Sequence, residues 1–143
     1  GKPADDIPAS GGQILEKVRK NYPDIAPSGA TFSRGVRVGN LLFIAGCTAR
    51  GTDAQGKDVM QQLRVTLDRI TRIVAEEGGD SSDIVKITTF VTSIPHWRAH
   101  REEQEALFVE YFRGEYPANT LVEITALAED GLDVEIEAIA ELG

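Results

Sequence analysis

The stretch Gly35-Val36-Arg37-Val38-Gly39-Asn40-Leu41-Leu42-Phe43-Ile44-Ala45-Gly46-Cys47 decides the fold class. From Ser33 to Val38, polar and apolar residues alternate with the period of two expected of a half-buried strand. Gly39-Asn40 is a turn dipeptide of the hairpin kind, and Leu41 to Cys47 is an almost unbroken apolar run suited to a central strand. An antiparallel hairpin is therefore the seed of a sheet. Downstream, Val59, Met60, Leu63, Leu67, Ile70 and Val74 recur at helical spacing, with Asp58 as N-cap and Gly78-Gly79 as the stop, which predicts a helix from Asp58 to Glu77. Ile84 to Thr92 is rich in β-branched residues and short, so it reads as a third strand. Pro95 opens a second long helix running to about Phe112, with a firm core face only at Leu107, Phe108, Tyr111 and Phe112. Thr120 to Thr125 and Leu132 to Leu142 are two further strands.

Upstream of the hairpin, residues 1–10 carry two prolines and Asp5-Asp6 with little apolar content, which predicts a mobile or peripherally docked end. Gln13 to Tyr22 reads as a short helix with Ile14, Leu15 and Val18 on one face, stopped by Pro23. Pro23 to Gly29 is a turn-rich connector. The expected organisation is an N-terminal extension with a short helix over residues 1–30, then one domain over residues 31–143 in the order ββαβαββ. Two amphipathic helices on one face of a mixed sheet make a two-layer α+β domain.

Fifteen Lys and Arg against 23 Asp and Glu give a net charge of -8 across 143 residues. A field of that sign repels phosphate backbones and anionic lipid surfaces, so neither nucleic acid nor membrane is an expected partner. Cys47 is the single cysteine, which excludes an internal disulfide framework and any site built from several thiolates. The longest apolar stretch, Leu41 to Ala45, is far below the roughly 20 residues of a membrane helix, and Gly1 to Asp6 has no leader-like pattern. A cytoplasmic location is the expectation.

Four ordered motifs resemble the RidA/YjgF family. Gly35 to Gly46 resembles its opening hairpin, and Asp83-Ile84-Val85-Lys86 resembles the start of its third strand. Gly114-Glu115-Tyr116-Pro117-Ala118 followed by Val122-Glu123 resembles its Pro-Ala signature, and Val134 to Ala140 resembles its C-terminal strand. The resemblance runs from about Thr31 to Leu142. It implies a chorismate-mutase-like fold, a homotrimer with ligand clefts between subunits, no cofactor, and hydrolysis of reactive enamines and imines to ammonia and a keto acid. It also exposes departures. The residue after Pro-Ala, an Arg that holds the substrate carboxylate in typical deaminases of the family, is Asn119 here. Phe32 stands at the place of a tyrosine, Ala45 at that of a serine, Glu105 at that of a helix asparagine, and Cys47 where Gln is frequent. Gly46 and Glu135 remain from that ligand shell.

Within that frame, Glu135 is the expected catalytic residue, a carboxylate that orients or activates water. Phe32, Ala45, Gly46, Cys47, Arg50, Glu105 and Asn119 are the expected substrate-binding positions. Arg50 is the candidate replacement cation, because Gly46-Cys47-Thr48-Ala49-Arg50 resembles a segment of aminomuconate-deaminase-like members of the family, and Gly46, Thr48 and Arg50 share a face if the strand continues; the bland reading is a solvated charge. Cys47 reads as a buried small side chain, since no motif supplies the base or cation that a thiolate requires. His96 and His100 have the i,i+4 spacing of two metal ligands, but Arg98 and Arg101 oppose a cation, and a solvated face with pairs such as Arg98 to Glu102 is the preferred reading. No metal is expected. The functional expectation is a C=N hydrolase acting, in an intersubunit cleft, on a small organic molecule with or without a carboxylate. The alternative is a non-catalytic ligand-binding or regulatory trimer of the same fold.

Overall fold

A computed structural model describes residues 14–143. The expectation for residues 1–10 falls outside the described residues. Strand β1 is Lys17–Lys20, β2 Gly35–Val38 and β3 Leu41–Cys47, followed by helix α1, Val59–Glu76. A single 3-10 turn, Ser81–Asp83, leads into β4, Ile84–Val91. Helices α2, Ile94–Ala99, and α3, Arg101–Phe112, precede β5, Ala118–Glu123, and β6, Val134–Glu141.

The hairpin forms as its sequence demands: Gly35 pairs with Ile44 and Val38 with Leu41, around a turn in which Gly39 takes a φ of 60°. The six strands lie in the order β1-β2-β3-β6-β4-β5. The last strand of the sequence thus sits in the middle, antiparallel to both β3 and β4. Its alternation explains that position, because Val134, Ile136, Ala138 and Ala140 all point into the core. β5 is parallel to β4, so the chain between them must cross over the sheet, and α2 and α3 are that crossover. Leu63, Leu67, Ile70, Ile73 and Val74 of α1 fill the layer above the sheet, packed across β6 and beside α3. Among the described residues, the other sheet face carries no helix.

Two expected elements differ. The short helix expected over Gln13 to Tyr22 is instead strand β1, paired along its length with β2, Lys17 opposite Val38 and Lys20 opposite Gly35. Ile14 and Leu15, two of the three residues of its supposed apolar face, are exposed. So short a helix with no core to cover is marginal, whereas the free edge of β2 offers a row of backbone partners. The long second helix is broken at His100, whose φ of -104° and ψ of 27° separate α2 from α3. Trp97 of α2 and Leu107 of α3 are both buried. The break removes the i,i+4 geometry between Arg98 and Glu102, which form no ion pair among the described residues. Over the described residues the element order is therefore βββαβααββ rather than a helix followed by ββαβαββ.

What holds β1 in place is Glu77, at the C-terminal end of α1, whose side chain is 2% exposed. Lys20 Nζ approaches its Oε2 at 3.0 Å and the Tyr22 hydroxyl donates to the same oxygen at 2.8 Å. Arg37 of β2 donates to the Glu77 backbone carbonyl at 3.2 Å and reaches Oε1 at 3.4 Å. Burial pushes the Glu77 carboxyl up, but the hydrogen bonds from Lys20, Tyr22 and Arg37 outweigh it and hold the group below its ordinary value. Burial and the neighbouring Glu77 carboxylate raise the Tyr22 phenol above its ordinary value. Because Glu77 has a lower pKa folded than unfolded, its contribution to stability is present above the unfolded pKa and disappears as pH falls through the folded one. Glu77→Ala removes the carboxylate that Lys20, Arg37 and the Tyr22 hydroxyl share; because the two cations remain partly exposed to solvent, the expected loss is about 1 to 3 kcal/mol, the cost of leaving a buried donor unsatisfied. Urea denaturation at neutral pH measures this. The gap between wild type and variant should shrink in acid below the ordinary carboxylate range.

Candidate functional site

The chemistry-bearing residues converge where β3 ends. Ile44 pairs with Ala138 and Cys47 with Ile136, so Ala45 and Gly46 together oppose a single residue of β6, a bulge. Glu135, on β6, points away from the core-facing Val134 and Ile136, and its side chain lies directly over Gly46. A Cβ at residue 46 would stand 2.6 Å from the Glu135 carboxylate oxygen and 2.9 Å from its Cγ. Only glycine leaves room for the carboxylate there. Phe32, Gly46, Cys47, Arg50 and Glu135 line one cavity of about 130 Å³.

Glu135 is half-buried, and no group among the described residues hydrogen-bonds its carboxylate. Burial raises its pKa above the ordinary value, the neighbouring Glu137 adds to the shift, and the positive charge of Arg34 opposes it. A desolvated carboxylate with free lone pairs is suited to exchanging a proton with water or a ligand. Burial also pushes the Cys47 thiol up, with Arg34 acting against it, so this sulfur is a neutral thiol rather than a nucleophile. Its buried position agrees with the small-side-chain reading of the sequence.

Arg50 reaches the cavity by a different route from the one expected. β3 ends at Cys47, and a turn carries Arg50, its backbone N–H donating to Thr48 Oγ1 at 3.0 Å. Its guanidinium is paired with Glu129 at 2.5 Å. A ligand anion would have to share or displace that carboxylate. Asn119, on β5, accepts a hydrogen bond from the Thr89 hydroxyl at 2.9 Å and does not line this cavity. Glu105 is exposed on α3, also away from it. Ala45 lies on the helix-free face, in a separate depression with Val36, Phe43, Thr88, Glu137 and Ile139. One chain therefore gathers five of the eight expected positions.

Two arginines that sequence reasoning missed build the cavity floor. Arg34 is only 4% exposed. It donates to the Pro27 carbonyl at 2.8 Å, to the Gly46 carbonyl at 2.6 Å and to the Ala45 carbonyl at 3.3 Å, and its guanidinium sits 4.9 Å from the Phe32 ring centroid. It thereby locks the connector to the bulge. Arg69 of α1 does the same one layer deeper, donating to the Thr48 carbonyl at 2.6 Å and the Ile25 carbonyl at 3.1 Å. Gln62 ties α1 to the segment before β6, its amide nitrogen donating to the Gly131 carbonyl at 2.9 Å while its oxygen accepts from the Asp133 N–H at 2.8 Å. Arg34 is one of the polar partners in an alternating strand and Arg69 sits in a helix otherwise read for its apolar residues. Nothing local distinguishes either from a solvated charge.

The comparisons with known proteins agree with this geometry. The family model described as Endoribonuclease L-PSP matches residues 24–142. A 2-iminobutanoate/2-iminopropanoate deaminase of Escherichia coli (strain K12) is 34% identical over 111 residues, covering 76% of this chain and 85% of that protein. A RutC family protein of Pasteurella multocida is 32% identical, covering 83% of this chain and 94% of its own length. Among solved structures, a Pseudomonas aeruginosa protein of unknown function superposes with a TM-score of 0.78 at 28% identity, covering 90% of this chain and 94% of that one. A Mycobacterium tuberculosis member of the YjgF/YER057c/UK114 family superposes with a TM-score of 0.70 at 30% identity, covering 88% and 99%. With the hairpin, the bulge at Gly46 and the carboxylate above it all in place, the chain belongs to the RidA/YjgF family.

Proposed function

We propose that this protein hydrolyses a C=N bond, or its enamine tautomer, in a small carboxylated metabolite of the cytoplasm, using a cleft completed by a second copy of the chain in a homotrimer. The observation that carries the reading is Glu135: a half-buried carboxylate with a raised pKa and no hydrogen-bond partner among the described residues, held over Gly46 at a cavity that also contains a cation. In the reaction, Glu135 accepts a proton from water as the water oxygen adds to the imine carbon. The nitrogen gains protons and leaves as ammonia, and the carbon becomes a carbonyl. No cofactor is invoked. The names of the similar deaminases support this class of substrate.

The trimer is supported by two features. The helix-free sheet face exposes Leu41 and Phe43, the latter at 41%, beside Val36 and Ile139, which is apolar surface that a partner subunit would cover. The cavity, at about 130 Å³, is smaller than the roughly 300 Å³ at which small-molecule sites begin, so further walls must come from outside this chain. A net charge of -8 gives no support to a nucleic-acid substrate.

A specific observation favours the second reading, a non-catalytic binding trimer: Asn119 replaces the carboxylate-holding Arg implied by the family resemblance, and Arg50 is engaged by Glu129. Hydrogen bonds to charged groups contribute about 1.5 to 3 kcal/mol each. The protein is therefore expected to release keto acid from simple 2-aminoacrylate-type substrates well below the rate of the E. coli deaminase in a coupled assay; equal rates would mean that another group holds the carboxylate.

On a substrate that is turned over, Glu135→Gln should lower kcat by roughly 10² to 10⁴ with KM little changed, while a wild-type panel of imines and enamines that yields no ammonia establishes the binding reading instead. Since Glu135 works as a base only when ionised, wild-type activity should fall on the acid side at a pH above the ordinary carboxylate value, and Glu135→Gln should lack that limb. Gly46→Ala forces the Glu135 carboxylate aside and should reduce kcat while leaving light scattering at three times 15.5 kDa. A monomer by light scattering at micromolar concentration removes the intersubunit cleft.

A further inference from the structure

We propose that Asp58, His96 and His100 form a binding site for one divalent transition cation per chain, of the zinc, nickel or cobalt class. One ligand atom from each of the three lies within 4.8 Å of the others. The i,i+4 pair of imidazoles comes from α2 and the break that follows it, and the fold brings the N-cap of α1 against them. His100 Nε2 stands 3.6 Å from Asp58 Oδ1. Two imidazoles and a carboxylate are a donor set that suits these borderline cations.

The arrangement around the three ligands is that of a prepared site. His100 Nδ1 lies 3.2 Å from Glu103 Oε1. A carboxylate accepting from Nδ1–H fixes the tautomer that leaves the Nε2 lone pair free, and Nε2 is the nitrogen facing Asp58. Asp58 is likewise split in role: Oδ2 accepts from the Met60 N–H at 3.0 Å as the helix cap, leaving Oδ1 toward His100. The His96 ring meets the His100 ring edge-on, with centroids 4.8 Å apart. Its side chain makes no hydrogen bond among the described residues, and a backbone bond to Ser93 Oγ at 3.1 Å anchors its position.

Bonds to zinc of about 2.0 to 2.2 Å place two ligands of one ion at most about 4.2 Å apart. In a tetrahedral site ligand atoms on such bonds stand about 3.4 Å apart, so the three groups need a closure of about 1.4 Å, which rotation of the exposed Asp58 and His96 side chains supplies. Arg98 and Arg101 carry the opposing charge but are exposed to solvent, where screening weakens them, and Asp58 and Glu103 answer them locally. With three protein ligands, the remaining position belongs to water. This site is separate from the Glu135 cavity and independent of the function proposed above.

The test is a calorimetric zinc titration of the full, untagged chain. Wild type should bind one cation per chain. Asp58→Asn, which keeps the helix cap, and His96→Ala and His100→Ala should each weaken binding at least about 10-fold, as ligand loss does, and Glu103→Gln by about 10-fold through the second ring nitrogen. Cobalt should give a visible absorption band that both histidine variants abolish. Circular dichroism of each variant controls for folding. No binding by wild type at millimolar zinc, binding that survives in His96→Ala/His100→Ala, or binding that is lost in Cys47→Ser overturns the proposal.

Discussion

β6 runs between β3 and β4, and its period of two assigns every side chain on it to one of two fates. Val134, Ile136, Ala138 and Ala140 seal the layer beneath α1, while Glu135, Glu137 and Ile139 are turned to the side without helices. A shift of one residue in this register would turn three carboxylates, Glu135, Glu137 and Glu141, into the core and expose the apolar residues. The site depends on the same strand, because the register against β3 sets Glu135 over Gly46, and the bulge at Ala45-Gly46 is the local adjustment that makes room for it.

Around that carboxylate the chain invests buried cations in structure rather than in ligand binding. Arg34 and Arg69 spend their donors on the backbone carbonyls of Ile25, Pro27, Ala45, Gly46 and Thr48. Their effect is to make one rigid body of the connector, the end of β3 and α1. Arg34 also keeps positive charge near Glu135 and Cys47, and Arg69 near Cys47, which offsets part of the burial that would otherwise raise both groups further. Among the described residues the Glu135 carboxylate accepts no hydrogen bond, so its lone pairs stay available at the cavity.

Much of the fold is legible locally. The Gly35 to Cys47 hairpin, the apolar stripe of α1 and the alternation of Val134 to Ala140 each have a single period, and each is found in the expected place. The segments that differ have weak or divided signals. Val18 and its neighbours carry too few apolar residues to specify a helix, and β1 is instead held by its pairing with β2 and by Glu77, more than fifty residues away, which Lys20 at the strand's end and Tyr22 just beyond it both reach. Arg98 to Glu105 is polar apart from Ala99, so no continuous apolar stripe joins Trp97 to Leu107, and the chain breaks between them at His100.

By itself the sequence determined the mixed α+β class, the hairpin and the long helix, and through its family motifs Glu135 and Gly46, because periodicity and turn chemistry act between near neighbours. Tertiary structure alone decided that Arg34 is buried while Arg50 pairs with Glu129, that Asn119 bonds to Thr89, and that Asp58 meets His96 and His100. Charged and polar side chains have no periodic signature. Whether one of them meets solvent, a carbonyl, another ion or a ligand depends on which distant residue the fold carries to within about 3 Å, hydrogen-bond distance, and that is a property of the packed chain.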